Sequence, residues 1–516
     1  MRRRDFLRRV GASGLSMAAG MSLMPGLAHA SPVWGAYPEF AQPALLPAPM
    51  QAKNVLEVFL YGGLSPWETF YVVPEYGHPD DPDYPNHQWW TFQKGANNVE
   101  EIYKECHGES APPMLQDFRV DSNGMMVKLG PFTEPFRSRK DIIERLRIQV
   151  VSHTLEPHEA AIPLAMSGFR LGQPKLAGVG AAIQHYYQAR SKIITGEPYS
   201  YVLYSPGDFP TDNLRAGSAV GFHPASSRPL SIKVTPNTQF INALKRNQLG
   251  DTKEAFDSLL NYYTARYRQR LVWPGRSDAV RAHTLGDYNF STTTLQKTDV
   301  LTNILEPQFF NKMPGESCGQ NSDNDHPGMG FKLAAHLLTR PDSKARYVCV
   351  VDGGLIPASG GGGYDTHNKH VKDSARNLSH MWTHLTSIIN EPGENDPGKL
   401  NLSETMVVIN TEFGRTPVPQ NGDGRNHHPY AYCNLMFGGP VGPDQQGIVG
   451  AIGPDSFASG AITPAETRAA ILAALGVYPF APECYAVSDV YGAGNELEAS
   501  LWLKEEVLGI KNNGGV

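Results

Sequence analysis

Cysteine is scarce in this chain, with 5 in 516 residues, and no two of them form a C-x-x-C pair. That argues against a cysteine-built zinc site. Cys349 and Cys433 lie in apolar runs and read as buried thiols, whereas Cys106 and Cys318 lie in polar loops, where export would allow them to pair. A basic excess is missing too. Against 51 Asp and Glu stand 45 Lys and Arg, so no positive field invites nucleic acid. After residue 30 no apolar run is long enough to span a bilayer, which excludes a stable membrane span there, and the 41% hydrophobic content is that of a globular protein. There is no Gly-rich dinucleotide fingerprint and no cysteine cluster to support an oxidoreductase. Internal repeats are absent, and Gly360 to Gly363 is the only low-complexity tract.

The amino terminus carries a signal of its own. Arg2, Arg3, Arg4, Arg8 and Arg9 precede a weakly apolar Gly/Ala/Ser/Met run from Val10 to Leu27, an n-region followed by an h-region. Arg3-Arg4-Asp5-Phe6-Leu7 resembles the twin-arginine consensus, and Ala28-His29-Ala30 forms an A-x-A cleavage site before Ser31. A membrane anchor is the weaker reading, because the run is broken by glycine and shorter than the ~20 residues a span needs. Residues 1–30 are therefore expected to be a twin-arginine signal peptide. Its partner in export is the twin-arginine translocase, and the destination is the periplasm or the extracellular space. Cleavage would remove five arginines and one aspartate, leaving 40 basic and 50 acidic side chains and a net charge near −10.

Four near-continuous apolar runs, Asn54 to Tyr61, Arg147 to Ser152, Tyr347 to Asp352 and Thr405 to Asn410, predict strands buried on both faces of a mostly parallel sheet. Helical spacing covers His158 to Met166, Gly330 to Leu338 and Val371 to Ile389. Asp251 to Glu254 resembles a capping box opening a helix that ends before Pro274, with Phe256, Leu259, Leu260 and Tyr263 on one face. Pro464 to Leu475 forms a further helix behind Thr463 as N-cap and before Gly476. Because strand-plus-loop units run from residue 54 to 450, the expectation is one α/β domain over 31–516. A mainly helical insertion is expected at about 190–330.

Each predicted strand ends in a loop rich in ionisable residues. These loops hold Ser65 and Glu68, then Thr154 and His158, then Asp365 and His367, then Glu412 and Arg415, and finally His427 and His428. In open α/β sheets ligands gather beyond the carboxyl ends of the strands. Carboxylates and imidazoles brought together there form the ligand set for zinc, manganese or calcium. Any one Asp-x-His or His-His is more often a plain turn. Five such loops together predict a divalent-metal site. Arg415 is the natural partner of a phosphate or sulfate, since guanidinium matches their oxygens in a bidentate way. Its bland alternative is a salt bridge to Glu412 or Asp423.

Thr411 to Pro417 (TEFGRTP), Gly424 to Pro429 (GRNHHP) and Leu435 to Val441 (LMFGGPV) closely resemble the C-terminal signature of the exported DUF1501 family. That family is grouped with the alkaline phosphatase and sulfatase superfamily. Gly62-Gly63-x-Ser65-x-x-Glu68-Thr69-Phe70, His158 before an Ala-rich helix, and Gly363 to His367 fit the same pattern. Glu68 and Asn426 stand where members often carry Asp. The resemblance implies an alkaline phosphatase-like three-layer sandwich, with divalent ions activating a Ser, Thr or formylglycine nucleophile. No Cys/Ser-x-Pro-x-Arg motif precedes the helix at His158. Thr154, Ser65 and His158 stand as alternatives for the nucleophile, and the common reading of a Ser or Thr there is a helix cap.

Two functions follow. One is an exported metal-dependent hydrolase of anionic phosphate or sulfate esters, small or polymeric, with Glu68, Asp365, His367, Glu412, His427 and His428 around the metal. Arg415 would sit on the anion. The other is a non-catalytic exported binding or assembly protein on a degenerate version of the same fold.

Overall fold

The computed structural model of the chain describes residues 34–76, 99–170, 178–190, 200–206, 230–234, 252–271, 309, 313–341, 343, 345–355, 363–420, 423–482 and 484–511. The expected signal peptide, and Asp251 of the expected capping box, lie outside these residues. One sheet is built from β1 (Asn54–Leu60), β2 (Arg147–Val151), β3 (Tyr201–Pro206), β4 (Leu230–Val234), β5 (Tyr347–Asp352), β6 (Thr405–Thr411), β7 (Tyr432–Gly438) and β8 (Gly447–Val449). Their order is β8-β2-β7-β6-β1-β5-β3-β4. Neighbours run parallel except at β7, which is antiparallel to both β6 and β2.

The continuous apolar runs become strands because both faces are covered. Successive residues of a strand face opposite ways. Leu56, Val58 and Leu60 of β1 join a cluster with Phe331, Leu333 and Trp382. Glu57, on the other face and fully buried, takes a 2.6 Å ion pair from Arg468 and hydrogen bonds from Asn410 and Tyr347. Each buried Val, Leu or Ile is worth roughly 1.5–3 kcal/mol. The sheet centre is thus a rigid base for whatever its edge carries.

The helices that matter here are α1 (Val99–His107), α2 (His158–Ser167), α3 (Val179–Arg190), α4 (Thr252–Leu271), α5 (His326–Thr339), α6 (His370–Ser387) and α7 (Pro464–Ala474). Thr463 caps α7 as expected, accepting from the Glu466 amide at 3.2 Å while Glu466 accepts the Thr463 amide at 2.6 Å. On α4 the described Phe256, Leu259 and Tyr263 are exposed. The stretch expected as a helical insertion is described only in part. It supplies strands β3 and β4 as well as α4. A disulfide joins Cys106 at the end of α1 to Cys318 in the hairpin before α5, while Cys349, Cys433 and Cys484 are buried thiols.

Candidate metal centre

Strands β1, β2, β5 and β6 end at one edge of the sheet, and β7, running the other way, begins there. Two glycines bring the loops of that edge into contact. Gly62 has φ +114, and a Cβ there would lie 2.1 Å from the Asp365 amide nitrogen. Only glycine therefore lets the loop after β1 lie on the Asp365 backbone. At Gly424 a Cβ would meet the His367 carbonyl oxygen at 1.7 Å, and the next amide, of Arg425, donates to Thr366 at 3.0 Å.

Asp365 is the hub. Its Oδ1 lies 3.3 Å from Nε2 of His158, 3.1 Å from Nε2 of His367 and 3.6 Å from Nε2 of His427. Ligand atoms of His158, Asp365 and His427 fall within 4.8 Å of one another. His158 opens α2 directly after Pro157, and His427 sits on a two-residue strand paired with Gly414 and Arg415. Tyr61 stacks on the His158 ring at 5.7 Å, and Phe413 stacks on His427 at 4.3 Å. Rotation of both imidazoles is thereby restricted. His367 is more open than its neighbours; its Nδ1 meets Oε1 of Gln420 at 2.8 Å and its Nε2 lies 3.1 Å from Nε2 of His427.

Behind this trio stand groups that fix it. Glu412 Oε1 lies 2.9 Å from His158 Nδ1 and accepts the Gly62 amide at 2.8 Å. His153 Nε2 meets the Glu412 carbonyl at 2.6 Å, and its Nδ1 accepts the Leu155 amide. This makes Nε2 the protonated nitrogen. Burial would push the Asp365 carboxyl up, but the imidazoles of His158 and His427 and the Arg415 guanidinium overcome that and hold it well below its ordinary value. Burial likewise works against a charged His158. The carboxylates of Asp365 and Glu412 outweigh it and hold this imidazole up at about 9. At His427 burial wins, helped by the Arg415 charge, and the pKa is lowered.

Several expected residues have other tasks. Arg415 is fully buried; its Nη2 binds Asp365 and the Gly62 carbonyl, its Nη1 the Arg425 carbonyl at 3.1 Å. No part of it faces solvent, so it holds Asp365 and does not receive an anion. The salt bridge expected as its bland alternative exists, but to Asp365. His428 is not a ligand: neighbours on a strand point to opposite faces, and its Nε2 meets the Ser456 carbonyl at 2.8 Å. Glu68 pairs with buried Arg425 and with His370. Burial raises its pKa, but those partners and Ser65 bring it down to about 2. Ser65 donates to Glu68 at 2.5 Å. Thr154 is exposed and accepts from Arg170 at 3.3 Å. Neither hydroxyl contacts the trio. Glu412 sits behind His158, and His158, expected to act in catalysis, stands among the ligand atoms. His153, Gln420 and Arg425, each in contact with one of these residues, were not singled out from the sequence.

A family model described as "Protein of unknown function (DUF1501)" matches residues 52–479. Neither curated proteins nor solved structures give a match to the chain.

Proposed function

The chain belongs to the DUF1501 family, and from that premise we propose that it is an exported, metal-dependent hydrolase of phosphate or sulfate esters on an alkaline phosphatase-like fold. The observation that carries this reading is the trio His158, Asp365 and His427 at the carboxyl edge of a mostly parallel sheet. The donor set fits a divalent ion. It offers two imidazole nitrogens and one carboxylate oxygen, and His158 Nε2 is buried without an aligned hydrogen-bond partner. Two nitrogens favour zinc or manganese over calcium.

A bound ion would supply Lewis acidity toward the ester's phosphoryl or sulfuryl oxygen and toward water. The chain does the rest. Glu412 orients the His158 ring through Nδ1, and Arg415 orients Asp365. His367, at the open rim, moves a proton between attacking water and the leaving ester oxygen. Water is the nucleophile in this scheme because Ser65 and Thr154 are engaged elsewhere. Products are an alcohol and inorganic phosphate or sulfate from a monoester, or an alcohol and a phosphomonoester from a diester. Export through the twin-arginine translocase to the periplasm or beyond is part of the proposal. The Arg3-Arg4 signal and the Cys106–Cys318 disulfide, which needs an oxidising compartment, support it.

That both hydroxyls are engaged away from the trio also favours a second reading, a binding or assembly protein that keeps the ion without turnover. Elemental analysis of purified protein, with a panel of phosphomonoesters, phosphodiesters and sulfate esters, separates the two. Metal together with hydrolysis, with one ion and all turnover lost in His427→Ala, supports the hydrolase. Metal without hydrolysis of any of the three classes supports the binding protein. No metal ends both.

A further inference from the structure

A second group of ligands lies away from the sheet edge, on α6. The sequence His380-Met381-Trp382-Thr383-His384 puts two imidazoles at i and i+4, one above the other on a helix face. The orientation of that face is fixed by what lies between them: Met381 and Trp382 are fully buried, and the Trp382 indole donates to the Phe132 carbonyl at 2.9 Å.

Opposite stands Asp325, the N-cap of α5. Its Oδ1 accepts the Gly328 amide at 2.8 Å, which leaves Oδ2 to face His380 Nε2 at 3.1 Å and His384 Nε2 at 3.3 Å. The two ring centroids are 4.3 Å apart. Asp325 and His380 are almost wholly buried, and His384 keeps a quarter of its side chain exposed. All three ligand atoms lie within 4.8 Å of one another. His380 Nδ1 is buried with no hydrogen-bond partner, so Asp325 Oδ2 is the one polar group that holds this ring among the described residues.

We infer that Asp325, His380 and His384 form a second divalent-metal site, of the zinc class and independent of the first. Two imidazole nitrogens, one carboxylate oxygen and a partly open side at His384 match a tetrahedral ion with one water. The residues between the histidines include no carboxylate to serve as a base, and the ligands bridge two helices. An ion held there ties the start of α5 to the second half of α6. The surroundings are already cross-linked in the same sense. The Cys106–Cys318 disulfide holds α1 to the hairpin before α5, Ser317 donates to the Arg376 carbonyl at 2.7 Å, and Arg376 pairs with Glu105 at 2.7 Å.

The test strips the full chain with a chelator and titrates it with Co(II), following visible absorption, with elemental analysis of zinc-loaded protein alongside. Two ions should bind the wild type, one His384→Ala, one His427→Ala, and none the double variant. Asp325→Asn guards against misfolding, since asparagine still caps α5 yet lacks the charge; it should lose one ion while its far-UV circular dichroism is unchanged. Zinc should raise the melting temperature of His427→Ala and leave that of the double variant unmoved. If His384→Ala and Asp325→Asn both bind as many ions as the wild type, the trio is a hydrogen-bonded cluster only and the inference is overturned. One ion in the wild type, lost in His384→Ala but kept in His427→Ala, would uphold this site and remove the first.

Discussion

Glu412 Oε1 stands 2.9 Å from His158 Nδ1 and 2.8 Å from the Gly62 amide nitrogen, so one carboxylate oxygen sets both the ring and the loop after β1. Such carboxylate–imidazole pairs orient a ligand and raise its basicity. Glu412→Gln should weaken metal binding at this site by about 10–100-fold without unfolding the protein. Competition with a chromophoric chelator measures it, and an unchanged affinity would remove Glu412 from the centre.

Metal uptake should release a proton. In the ion-free protein His158 is held at about 9 and is therefore charged at neutral pH, whereas a ligand imidazole must be neutral. Affinity is then expected to rise with pH up to about 9 and to level off above it. Calorimetry in buffers of differing ionisation enthalpy should find about one proton released at this site per ion near pH 7. No release would show that His158 is not a ligand.

Arg415→Ala should destabilise the fold and lose the metal together, because it strands a buried carboxylate. Breaking such a pair costs roughly 3–5 kcal/mol, readable by urea unfolding. Arg415→Lys should not rescue it, since one ammonium cannot reach Asp365 and the Gly62 and Arg425 carbonyls at once. A variant of full stability and metal content that loses only turnover would restore the anion-binding role.

His153 predicts an acid weakness. Burial, with some help from the Arg170 charge, lowers its pKa to about 4, below the ~6.5 of an unfolded chain. Between those values the unfolded state binds more protons, so this stability is complete above about 6.5 and is lost as pH falls toward 4. The contribution is at most roughly 3 kcal/mol. His153→Gln, which keeps a donor for the Glu412 carbonyl, should flatten the change in urea midpoint between pH 7 and pH 4.5. An identical slope in both proteins would assign the acid loss to other groups.

Four strands were legible because each is a continuous apolar run closed by a polar loop. Strand β7 was not, since buried Asn434 interrupts its apolar residues and its direction depends on pairing with β6 and β2. Asp365, His367, Glu412 and His427 could be found from residue type at strand ends. Which histidine of the 427–428 pair turns inward could not, because that follows from a two-residue ladder with Gly414 and Arg415. Arg415 misled for the same reason: its carbonyl partner at Gly62 lies 353 residues away. The i, i+4 spacing of His380 and His384 was readable within a predicted helix, but Asp325 arrives from the cap of another.

The strand order also sets a timetable. Strand β1 lies between β5 and β6, and Leu60 shares its register with Thr411, 351 residues later. At ~5–20 residues per second of synthesis, on the order of 20 to 70 s separate the two. During that interval β1 has no permanent neighbour on that side, and contacts of such long range form slowly. A chain cut short at residue 400 loses more than an edge: its central strand lacks one partner, and neither Glu412 nor His427 exists to meet the loop that begins at Gly62.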